Sequence, residues 1–219
     1  MDYSYIFRAA KLKKDSLEKV GFTTSDGNSY EMRPSVSNGS FNAVISLVFS
    51  EQTLTVQLFD SATKEKYVLF DMPSHGAFVA SLHEEVQKII DDIKTKCFET
   101  HELKDDYIAW IKSKYGVKPD YPWPDDAPYS FVFRCPNEKW FALVMKIKYR
   151  QLGLRGEEEV WVVNMKADQE SIPNLVDRKS IFPAWHMNKK HWITILLTAV
   201  TDFDKLCELT EKSYEMVNK

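Results

Sequence analysis

Glycine is scarce in this chain: 7 residues in 219. A Gly-rich phosphate loop needs backbone free of Cβ close to its ligand, so few positions remain for one. Neither a Walker motif nor Gly-x-Ser-x-Gly occurs. Cysteine is nearly absent too. Cys97, Cys135 and Cys207 lie far apart with no Cys-x-x-Cys, which argues against a disulfide framework and against a Cys-based zinc site. No apolar run approaches the ~20 residues that span a bilayer, and Met1–Tyr5 lacks the basic and apolar regions of a signal peptide. These absences lead us to expect a cytoplasmic protein with no membrane partner. Excess charge of one sign is also missing. The net charge is −3, with 11 Lys+Arg against 14 Asp+Glu in residues 1–100 and 18 against 18 thereafter. Nucleic-acid binding would therefore need a local basic patch.

What is present is ordinary globular material: 44% hydrophobic, 28% charged and a rich 13% aromatic. The pattern predicts a first helix over residues 4–19. Strands follow at Phe41–Phe49 and Leu54–Phe59, joined by a hairpin at Ser50–Gln52, with another at Lys66–Asp71. Phe78, Leu82, Val86, Ile89, Ile90, Ile93 and Cys97 make one helical stripe over 77–97. Ser74 can cap that helix, and Glu84/Lys88 and Asp92/Lys96 pair along it. A second helix is expected at about 102–114, with Leu103, Tyr107, Ile111 and Tyr115 on one face.

Four prolines between 118 and 128 forbid helix there. Strands are expected at Tyr129–Arg134, Lys139–Tyr149, Val160–Met165 and His191–Leu197, with a turn at Cys135–Glu138 and a short helix at 168–176. A last helix follows Thr201, where Thr201-x-x-Asp204 reads as a capping box. The expected class is α+β, with two helix–antiparallel sheet–helix subdomains at 1–98 and 99–219.

The densest cluster of distinctive residues is Pro183-Ala184-Trp185-His186-Met187-Asn188-Lys189-Lys190-His191-Trp192. With Phe131–Arg134, Lys139–Leu143, Val163–Lys166 and Ser213–Val217, it occurs in the order and spacing of the MmcQ/YjbR family, which the second half resembles along nearly its whole length. The first half resembles the extension of longer members through Gly76–Val79 and Asp91–Phe98. The resemblance implies a CyaY-like, double-wing α/β sandwich with helices on one face of an antiparallel sheet. It also implies binding of double-stranded DNA.

Two segments could carry such binding. Along Lys139–Arg150, alternation puts Lys146, Lys148 and Arg150 on one face, near a loop bearing Arg155. Such a basic wing could sit on phosphates. A solvated strand end, partly neutralised by Glu157–Glu159, is the stronger account of that strand on sequence alone. In the second segment Lys189 and Lys190 could contact phosphates, Asn188 a phosphate or base edge, and Trp185 or Trp192 could stack on a base. A structural hairpin turn accounts for it equally well.

The spacing of His186 and His191 is wrong for a metal pair. The acids Glu84-Glu85, Asp91-Asp92 and Asp105-Asp106 read as solvated helix faces. With no nucleophile or base visible, no cofactor, no metal and no enzymatic activity are expected. The rival to DNA binding is an adaptor that takes a protein or small molecule on the aromatic surface of Trp123, Trp140, Trp185 and Trp192.

Overall fold

A computed structural model describes residues 1–72, 76–154 and 158–219. Ser74 and Arg155 lie outside the described residues, as does the expected cap at Ser74. The chain divides into two compact units, Met1–Thr100 and His101–Lys219, each mixing helix with antiparallel sheet.

The first unit contains the strands β1 (Ala10–Leu12), β2 (Thr23–Thr24), β3 (Ser29–Met32), β4 (Ser35–Val36), β5 (Phe41–Val48) and β6 (Thr53–Asp60), then helix α1 (Ala77–Cys97) and β7 (Phe98–Thr100). β5 is central, with β3 and β4 on one side and β6 on the other. In β6, Leu54, Val56 and Leu58 are buried while Thr55 and Gln57 are exposed. That alternation marks a sheet with one face in the core and one in water. The inner face packs with Leu82, Val86, Ile90, Ile93 and Cys97 of α1, as the stripe predicts. Phe78 departs from it and remains largely exposed. The Asp92–Lys96 pair forms at 2.8 Å.

Two expectations fail in this unit. Residues 4–19 form no α-helix. They form short 3-10 turns at Ser4–Arg8, Lys14–Ser16 and Glu18–Val20, with β1 between the first two. The backbone of β1 is bound by β7, Leu12 opposite Phe98 and Ala10 opposite Thr100, so pairing overrides local helix propensity. Lys66–Asp71 is likewise not a strand. Lys66 bridges Phe59, and the chain then closes into a 3-10 turn, Val68–Asp71. The turn drops Phe70 into the core and brings Asp71 to 2.8 Å from Lys66.

The second unit runs α2 (Lys104–Tyr115), β8 (Ser130–Arg134), β9 (Trp140–Lys148), β10 (Glu159–Lys166), α3 (Ile172–Leu175), β11 (Ile181–Pro183), β12 (Trp192–Leu196) and α4 (Phe203–Val217). The sheet order is β11-β12-β10-β9-β8, all antiparallel. One face meets α2 and α4 through Phe131, Phe133, Val144, Val163, Ile193 and Ile195. Tyr107 and Thr210 join the helices through buried hydroxyls 2.9 Å apart, and Tyr115 stacks on Tyr214 at 4.2 Å.

The other face carries a second cluster, including Leu143, Met145, Val162 and Leu196, with Trp123, Trp140, Trp185 and Met187 against it. Burial on both sides explains why β12 is apolar apart from Thr194, with every residue buried. The sequence places α4 one residue early. Its cap is Asp202, which accepts from the Lys205 amide at 3.1 Å, because the Thr201 hydroxyl donates to the Leu196 carbonyl at 2.6 Å. α3 is a single turn, shorter than the expected 168–176. The Asp168 carboxylate accepts from the Glu170 and Ser171 amides before it starts.

A candidate binding cleft at one end of the second sheet

The strand cations and the turn cations occupy opposite ends of the sheet. In β9, Trp140 stands at the start and Lys148 at the end, about 25 Å apart at about 3.3 Å per residue. Register carries this outward. Lys148 pairs with Glu159, whereas Lys166, at the far end of β10, pairs with Trp192. The turn Asn188–Lys190 lies just before Trp192, at the Trp140 end. The seven described residues among the expected contacts therefore do not form one surface.

At the Lys148 end, one acid and two rings hold Lys146. The Lys146 ammonium is 3.1 Å from the Glu159 carboxylate and lies over Tyr129 and Trp161, at 5.6 and 6.0 Å from the ring centroids. Alternation stops at Lys148. Tyr149–Leu152 is a 3-10 turn that begins where the Lys148 amide donates to Gln151 Oε1 at 2.6 Å. Arg150 is exposed on that turn and does not extend the strand row.

The other end is built differently. Asn188 Oδ1 accepts from the Lys190 amide at 3.0 Å, and the Asn188 carbonyl accepts from the His191 amide at 3.0 Å. Asn188 thus closes the turn and leaves Lys189 and Lys190 exposed. The preceding segment is held on the sheet by Asn164, whose buried amide donates to the Trp185 carbonyl at 2.7 Å. Thr194 Oγ1 donates to Asn164 Oδ1 at 2.5 Å and accepts from the Trp185 amide at 2.8 Å. Asn164 and Thr194 face each other across β10 and β12. The Trp185 indole N–H is buried without a partner among the described residues. His186 takes a left-handed backbone, φ 58°, and its ring sits edge-on to Trp185 at 4.7 Å.

Beside that turn opens a cleft of about 360 Å³, lined by Glu138, Lys139, Trp140, Lys166, Trp192, Met216 and Val217. Trp192 is 9% exposed, so it offers the cleft only a small part of its surface. The Lys166 ammonium lies 6.0 Å from its ring centroid. Trp140 is half-buried, set edge-on against Trp123 at 5.3 Å, with the Arg134 guanidinium 5.7 Å from its centroid. The rim is fixed from below. Ser213 accepts from the Lys166 amide at 2.9 Å and donates to the Phe141 carbonyl at 2.6 Å, and Asn137 donates to the Val217 carbonyl at 2.9 Å. Trp192 stands among the residues expected from sequence, whereas Lys139 and Lys166 do not. Their signal was positional, since each sits at a strand end that register brings beside Trp192.

Among the described residues, no group of three or more His, Cys, Asp or Glu is arranged to hold a metal, and no helix is long and apolar enough to cross a membrane. All three thiols are buried. Burial pushes Cys207 up to about 11, with Asp204 and Glu211 adding to it, and also raises Cys97 and Cys135. None is poised as a thiolate.

The cleft lies on a small α+β domain whose antiparallel sheet carries helices on one face. The chain belongs to the YjbR family, whose model matches residues 112–216. It is 34% identical over 113 residues to the uncharacterized protein YyaQ of Bacillus subtilis strain 168, covering 52% of this chain and 96% of that one. It is similar also to a crystal structure of a Pseudomonas syringae protein, at 36% identity and TM-score 0.50, covering 52% of this chain and 97% of that chain.

Proposed function

We propose that the C-terminal unit is a non-enzymatic, cytoplasmic nucleic-acid-binding module that contacts phosphates at the Trp140/Trp192 end of its sheet. The observation that carries this reading is the convergence of Lys139, Lys166, Lys189 and Lys190 on one sheet end, beside two indoles. A unit with balanced charge can bind a polyanion only where its cations cluster locally. The strand cations contribute less, since Glu159 already neutralises Lys146.

The test is affinity for a labelled mixed-sequence oligonucleotide at about 50 and 200 mM salt, a range over which several phosphate contacts lose much of their affinity. Lys189→Glu with Lys190→Glu should weaken binding at least tenfold more than Lys146→Glu with Lys148→Glu, although both pairs change net charge equally. Equal losses, or none, would refute this placement of the contacts.

A second reading rests on the same cleft. Its volume suits a small ligand, and an apolar ligand held there would bind almost independently of salt, unlike a polyanion.

A further inference from the structure

Resting on that reading, we infer that the cleft takes an unpaired base, so that the preferred nucleic acid is single-stranded. The duplex-reading devices of DNA-binding folds protrude, placing a helix or ribbon into the major groove. Here the basic end of the sheet is concave. Trp140, Trp192, Met216 and Val217 line the hollow, and Lys139 and Lys166 stand at it. In a duplex the bases are stacked and paired, and only backbone reaches such a surface. In a single strand a base can leave the chain, lie against an indole and keep its phosphate beside a lysine.

Volume agrees with this assignment. About 360 Å³ is at the small end of ligand sites, room for one planar group and not for a folded partner. The site also continues. A second hollow of about 330 Å³ shares Lys166 and Met216 with the first and adds Ser171, Lys212 and Lys219. Asp168 and Glu215 line it too, and Lys212 is held by Glu208 at 2.5 Å, so its field is mixed where the first hollow has Glu138 as its one acid. Two hollows with a common wall fit successive nucleotides of a strand better than one free nucleotide.

The experiment compares the full chain binding a labelled single-stranded oligonucleotide, the blunt duplex of equal length, and deoxycytidine monophosphate, at about 50 mM salt. The single strand should bind at least tenfold tighter than the duplex and at least a hundredfold tighter than the mononucleotide. Trp140→Leu, which keeps apolar packing against Trp123, should lower single-strand affinity about tenfold, the effect of losing one stacked base. Trp140→Phe should restore most of it, and thermal melts of both variants separate lost stacking from lost folding.

A duplex bound as tightly as the single strand, with Trp140→Leu without effect and Lys189→Glu/Lys190→Glu still weakening both, overturns the base-cleft inference and leaves the phosphate reading standing. A mononucleotide bound as tightly as the strand overturns the preference for a polymer. Binding of no nucleic acid at that low salt overturns this inference and the proposed function together.

Discussion

The Lys166 ammonium lies 6.0 Å from the centroid of the Trp192 ring, and the two residues face each other across β10 and β12. They lie 26 positions apart in sequence, so only strand register joins them. A cation over an indole is attracted by the ring's quadrupole, by roughly 0.5–1 kcal/mol where water still reaches the pair. The contact holds one charge at the mouth of the cleft. Lys166→Met keeps the stem and removes the charge. It should lower oligonucleotide affinity and reduce the slope of log K against log salt by about one, which a salt titration of both proteins would read.

Asn164 anchors the segment that precedes the basic turn. It is fully buried and bonded to the Trp185 carbonyl and to Thr194. Asn164→Ala leaves that carbonyl without its donor and should cost roughly 1–3 kcal/mol, the price of an unmade buried hydrogen bond. Urea unfolding checks this. A loss below a few tenths would mean that the segment is held by packing alone.

The cap of α4 gives a sharper comparison. Asp202→Ala removes the acceptor of the Lys205 amide and should destabilise by about 1 kcal/mol. Asp204, exposed in the first turn, should cost a few tenths when replaced by Asn, a helix-dipole effect. Thermal melts of the two variants would rank them.

Stability should fall on the alkaline side. Burial pushes the Cys207 thiol up to about 11 from an ordinary 9.0, and the Tyr115 hydroxyl up to about 12 from 10.0. Each group loses its proton more readily in the unfolded chain than in the fold. Their contribution is therefore complete below about pH 9 and is lost as pH rises through 11 and 12. The melting temperature should be level with respect to these groups from pH 7 to 9 and drop beyond it. Cys207→Ala should flatten the first part of the drop, and an unaltered pH profile in that variant would contradict the assignment.

Much of the fold was legible because the strongest signals were periodic. The stripe from Leu82 to Cys97 and the alternation of Leu54, Val56 and Leu58 follow directly from one buried face. The first helix was misread because β7, some 90 residues downstream, captures Ala10–Leu12, and no local window contains that partner. The site was only half legible. Lys146, Lys148, Lys189 and Lys190 are equally visible as cations, yet whether they share a surface depends on strand order and register. Both-sided burial also left β12 apolar apart from Thr194, so no regular alternation assigns its faces from sequence.

The most direct measurement is an amide and indole N–H nuclear magnetic resonance titration of the full chain with a short oligonucleotide. The account expects shifts concentrated at the Trp140 and Trp192 indoles and at the amides of Lys139, Lys166, Lys189 and Lys190. Shifts concentrated at Lys146, Lys148 and Arg150, with the two indoles unmoved, would contradict it.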